Sequence, residues 1–143
     1  MRRRSIVVEG PLAFRTARIA AAQRADSGLQ IFTLPLLAAR LAGGFNRPAR
    51  SQDLDPAIRA ALAAGGLTEL EGIRQLPGTT RSIARTLAKV WQADLDLAGL
   101  ASHNARLAEL AEVERRVRAN LPAGVLTPRD LRDAAIAHAA HAA

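Results

Sequence analysis

A chain of 143 residues suits one domain or one piece of a larger one. Its residues are 49% hydrophobic but only 3% aromatic, which allows a packed helical domain and excludes a large aromatic-rich core. The net charge is +7, there is no cysteine for a disulfide, iron–sulfur or thiolate zinc site, and no apolar run reaches the roughly 18 residues that span a bilayer.

Met1 to Arg4 is basic, but the apolar run after it is short and closes at Glu9, so no signal peptide is expected. Together with the absence of cysteine, this points to a reducing cytoplasm and no membrane association. The stretch from Ser5 to Ala25 organises the rest. Ile6-Val7-Val8 predicts a strand, and Glu9 to Thr16 leads into an amphipathic helix over Leu12 to Ala25. A strand, a glycine-containing turn and a helix carrying a cation and a hydroxyl is the layout of a phosphate-binding loop. Gly10, Arg15 and Thr16 occupy the relevant places, but Phe14 and Arg15 stand where such a loop needs Gly and Lys. Without that glycine, backbone N–H groups cannot close round a phosphate, and Arg does not replace a compact ammonium. The nucleotide site is therefore degenerate, and no cofactor is expected.

Leu29 to Leu34 is a second strand, which makes the first fifty residues a right-handed parallel βαβ unit. Pro35 opens a helix over Leu36 to Ala42, stopped by Gly43-Gly44, and Phe45 to Gln52 is a basic loop. Beyond it the pattern is helical. Asp53 or Asp55 caps a helix with Pro56 in its first turn. Thr68-Glu69-Leu70-Glu71 is a capping box that opens a short helix ending before Pro77. Thr80 to Ala93 buries Ile83, Leu87, Val90 and Trp91, and Asp94 to Ala101 is a turn or short helix. The longest helix, Asn104 to Leu121, is buried through Leu107, Leu110, Val113 and Val117. A last helix begins at Thr127.

The fold class is α/β but predominantly helical: a partial, P-loop-like βαβ segment over residues 1–50, then an all-helical insertion over 51–143. Two strands rarely make a stable open sheet, and the last helix runs uncapped to Ala143. Both features lead us to expect the N-terminal piece of something larger, truncated at its C-terminus, or a remnant that needs a partner.

Charge is unevenly placed. Nine arginines through Arg50 face only Glu9 and Asp26, whereas the eleven cations beyond are matched by eleven carboxylates. The excess favours an anionic partner for the first fifty residues, DNA foremost, although an arginine-rich solvated surface also accounts for it. Arg15, Arg18, Arg47 and Arg50 are the candidate DNA-backbone contacts. Arg15 and Thr16 either hold a phosphate at a helix N-terminus or form an ordinary helical turn. Arg2 to Arg4 form either an electrostatic arm or a plain basic start.

No catalytic constellation is apparent. His138 and His141 share a helix face without the third ligand that a metal site needs. The pairs Asp53/Asp55 and Asp94/Asp96 fall where helix caps are expected, His103 precedes a helix start, and Trp91 belongs to a core face rather than a base-stacking platform.

Three segments, Gly10 to Thr16, Leu29 to Leu41 and Leu121 to Leu131, with Leu76-Pro77-Gly78 and Ile83 to Leu87, resemble the opening of AddB-type proteins. These double-strand-break repair subunits join an inactivated superfamily I helicase to a PD-(D/E)XK nuclease. The resemblance touches most of the chain through soft motifs. It implies a DNA-scanning subunit that cuts one strand and works beside an AddA-type motor that supplies ATP hydrolysis. The nuclease residues and cysteine cluster of that family have no counterpart in this sequence, so the resemblance implies a non-catalytic, helicase-like segment. A small helical DNA-binding or adaptor protein is the alternative.

Overall fold

The structure, a computed structural model, describes residues 4–141. Mostly helical, it forms two compact units, one holding the residues through Arg47 together with those from Leu131 onward, the other Pro48–Asp130.

In the first unit, β1 (Arg4–Val8) and β2 (Leu29–Thr33) pair in parallel, with Ile6 opposite Ile31 and Val7 opposite Phe32. Between them lies α1 (Gly10–Gln23). Its C-terminal end turns through Ala25 and Gly28, at φ of 50° and 79°, and Asp26 N–H donates to the Ala21 carbonyl at 3.0 Å. Directly after β2 comes α2 (Leu34–Leu41), with a proline in its first turn as expected.

No residue between Arg4 and Gln52 is buried. Parallel strands normally lie under helices on both faces. Here Val7 is 51% exposed, and Leu12, Ile19, Leu34, Leu36, Leu41 and Phe45 are also exposed, the last at 95%. Two paired strands with half-covered apolar side chains leave strand edges and apolar surface open to association. The isolated chain is accordingly expected to self-associate. Sedimentation over a wide concentration range checks this, and a monomer at every concentration contradicts it.

The second unit has a closed core. Within the expected basic loop, β3 (Arg47–Pro48) pairs with β4 (Val125–Leu126), and Ala49 N–H donates to the Leu126 carbonyl at 2.8 Å. Then α3 (Ser51–Ala63) begins earlier than the sequence indicated. Arg50, not an aspartate, is its N-cap. Asp53 lies one turn inside, where its carboxylate accepts the Arg50 N–H at 2.9 Å. Only this half of a capping box operates, since a guanidinium cannot accept an N–H. Pro56 consequently sits in the second turn rather than the first.

Residues 68–78 form turns, not the expected short helix. Its first donors are satisfied from elsewhere: Glu69 and Leu70 N–H groups donate to the two oxygens of Glu109 at 2.7 and 3.0 Å. Gly78, at φ 93°, then turns the chain into α4 (Thr79–Gln92). After α5 (Leu97–Leu100) and a 3₁₀ turn, Asn104 caps α6 (Ala105–Asn120) by accepting the Arg106 N–H at 2.8 Å.

Ala57, Ile58, Ala61 and Leu62 of α3 meet Ile83, Leu87, Val90 and Trp91 of α4 and Val113 and Val117 of α6. Leu67 and Leu97 complete this core. Arg116 locks α3 to α6, its Nη1 donating to the carbonyls of Ala61 and Gly65 at 3.1 and 2.7 Å. The Ala61 carbonyl is one that a helix C-terminus otherwise leaves orphaned. The last helix, α7 (Pro128–His141), opens with Asp130 N–H donating to Thr127 Oγ1 at 3.1 Å.

Candidate nucleic-acid interface

A phosphate loop needs several residues between strand and helix whose N–H groups converge on one point. Here Glu9 alone separates β1 from α1. Gly10, at φ 76°, makes the sharp turn, and a Cβ there would meet no atom within 4 Å, so the glycine serves backbone conformation rather than close approach. Pro11 has no N–H to offer. Arg15 and Thr16 are the sixth and seventh residues of α1, a turn beyond its N-terminal donors, and both side chains are exposed. The loop expected from the sequence is thus contracted to a single residue, and its cation and hydroxyl lie on the flank of a helix. Phe14 does not reach across a loop: its ring carries the Arg18 guanidinium at 5.7 Å from the centroid.

Arg15 and Arg18 lie on adjacent parts of the α1 surface, three residues apart. Arg24 is engaged by Asp26 at 3.0 Å. Arg47 closes the first unit and is half-buried, whereas Arg50 belongs to the second, with its backbone fixed by Asp53 and its side chain exposed. Arg15 and Arg18 therefore share one helix, whereas Arg47 and Arg50 fall in different units. Arg2 and Arg3 of the basic arm lie outside the described residues.

Most carboxylates that the sequence pairs or the core encloses in the second unit are accounted for by caps and ion pairs. Asp94, at φ 55°, pairs with Arg129 at 3.3 Å, and Asp96 precedes α5 as its N-cap residue. Glu114 is buried between Trp91, whose Nε1 donates to it at 2.7 Å, and Arg118 at 2.9 Å. Arg118 continues to Asp130 at 3.0 Å. Trp91 is therefore a core residue with its one polar atom satisfied. His141 Nδ1 donates to the Ala137 carbonyl of its own helix at 2.6 Å.

Glu112 accepts from Arg115 through two nitrogens at 2.7 Å and from Arg116 Nε at 2.6 Å. These hydrogen bonds, Arg115 first, hold its carboxyl down from 4.5 to about 2. A depressed carboxyl contributes stability above its unfolded value and loses it as pH falls through the folded one. The Glu112 contribution is thus expected to be complete above pH 4.5 and to fade towards pH 2. Glu112→Gln is expected to flatten the acid limb of stability in that window. Urea midpoints from pH 5 to 2 check it, and parallel profiles for the two proteins contradict it.

The second unit also has a cavity of about 210 Å³ between α3 and the start of α4, lined by Arg59, Leu62, Ala63, Arg74, Gln75 and Thr80. Of its two guanidinium groups, Arg74 is paired with Glu71 at 2.8 Å. Comparison with protein-family models, with curated proteins and with solved structures finds no match for this chain. No helix among the described residues is long and apolar enough to cross a membrane.

Proposed function

We propose that the chain is a non-catalytic, helicase-like segment of the AddB kind that holds DNA by its phosphate backbone in double-strand-break repair. The observation that carries this reading is the contracted β1–α1 connection: the parallel βαβ arrangement is kept, while the loop needed to cradle a nucleotide is reduced to Glu9. The exposed Arg15, Arg18 and Arg50, with Arg47, supply backbone contacts without an element that reads bases. Such a segment draws its energy from an AddA-type motor subunit and acts in the cytoplasm. A P-loop-like origin of the βαβ unit belongs to the same proposal.

A second reading, a small helical DNA-binding or adaptor protein, is favoured by the closed core of residues 54–121, which has the packing of a unit that stands alone. ATP separates either of these from an enzyme. Calorimetry with magnesium ATP is expected to give no binding, and Thr16→Ala is expected to leave DNA affinity unchanged with or without ATP. Micromolar ATP binding abolished by Thr16→Ala would restore a working nucleotide site.

A further inference from the structure

We infer that the solvent face of α4 is a second polyanion-contacting surface, shaped for the phosphodiester backbone of a nucleic-acid strand. Arg81, Arg85 and Lys89 recur at i, i+4 and i+8, which stacks them along one face at a rise of about 6 Å per step. Ile83, Leu87, Val90 and Trp91 occupy the opposite face, in the core, so the three cations point to the middle of the solvent side. The helix contains no aspartate or glutamate.

None of the three cations forms a side-chain hydrogen bond or ion pair with the described residues. The neighbouring α6 shows the contrast, for Arg115, Arg116 and Arg118 are each bound to a carboxylate one turn away. Like charges one turn apart weaken a helix; Lys89 gains from its place in the last turn, but no carboxylate among the described residues offsets the repulsion. An external row of anions would.

A lipid surface is a poor fit, because an interfacial helix inserts an exposed apolar face and that of α4 is already spent on the core. An acidic protein partner would ordinarily offer apolar or aromatic anchors a place to dock. Around these cations stand Ser82, Thr86, Ala88 and Gln92 instead. Hydroxyl and amide groups beside guanidinium are the usual contacts of a phosphate backbone.

The inference rests on the DNA reading for its partner class but not on the arginines of the first unit, so the two are separable. Duplex binding is measured over a salt series for the wild type, for Arg81→Gln/Arg85→Gln/Lys89→Gln, and for Arg15→Ala/Arg18→Ala/Arg47→Ala/Arg50→Ala. The α4 variant is expected to flatten the log K–log salt slope by about 2.7 units, near 0.9 per cation removed. Its circular dichroism and thermal midpoint are expected to be no lower than wild type, since a repulsion has been removed. Arg106→Gln/Arg115→Gln, which removes two cations already paired with carboxylates, is expected to change the slope by less than one unit. An α4 variant with the wild-type slope overturns the inference and leaves the DNA reading standing. Loss confined to the α4 variant supports it and removes the role of the first-unit arginines. A wild type that binds anionic vesicles but not DNA, or binds no DNA at any salt, overturns both.

Discussion

Trp91→Ala is expected to destabilise the second unit by about 3–5 kcal/mol, the range for removing a buried aromatic side chain. Trp91 is 1% exposed and lies against the α3 and α6 residues of the core, so its removal leaves a cavity that helices anchored at both ends cannot close. The indole also carries a polar penalty. Its Nε1 is one of two donors to the buried Glu114 carboxylate, and without it that charge depends on Arg118 alone. Domains of this size are stable by roughly 5–15 kcal/mol, so the substitution takes a large share of the total. Trp91→Phe keeps most of the apolar contact and loses the hydrogen bond, so about 1–3 kcal/mol is expected. Urea titration followed by circular dichroism is the suitable measurement, because Trp91 is the sole tryptophan and the variant has no indole fluorescence. Equal midpoints for the two variants would show that packing around the ring matters less than its polar tip.

The second large effect concerns charge. Removing Arg15, Arg18, Arg47 and Arg50 together is expected to flatten the salt slope of DNA binding by up to about 3.6 units, at near 0.9 per phosphate released. The loss is expected to be the same on unrelated sequences, since contacts to phosphates carry no base information. Arg18 acts from a fixed position, braced on the Phe14 ring at 5.7 Å. Phe14→Ala is therefore expected to weaken binding modestly with no change of charge.

Periodicity located most of the elements because burial decides helix faces. The face of Ile83, Leu87, Val90 and Trp91 reads the same in sequence and structure, and the longest helix, expected over Asn104 to Leu121, spans Ala105–Asn120. The errors have a common cause in long-range partners that no local pattern shows. Thr68 to Glu71 has the composition of a helix start, but its donors are taken by Glu109, some forty residues away. Asp53 was read as a cap from its type alone, whereas the strand pairing of Ala49 with Leu126 starts the helix sooner. The contracted β1–α1 connection was similarly out of reach, because Gly10 marks a turn without giving its length. Charge was legible only as a sum. Beyond Arg50 the cations and carboxylates cancel in number, yet in space the carboxylates gather around the arginines of α6 and leave α4 uncompensated. The spacing of Arg81, Arg85 and Lys89 was the signal available for it.

Binding of the wild-type chain to two duplexes of unrelated sequence, measured from low to physiological salt, tests the central claim most directly. A backbone-holding, non-catalytic segment predicts a linear fall of log K with log salt, with equal slopes and equal affinities for the two duplexes and no cleavage of either strand. Salt-independent binding, clear preference for one sequence, or no binding at low salt would contradict it.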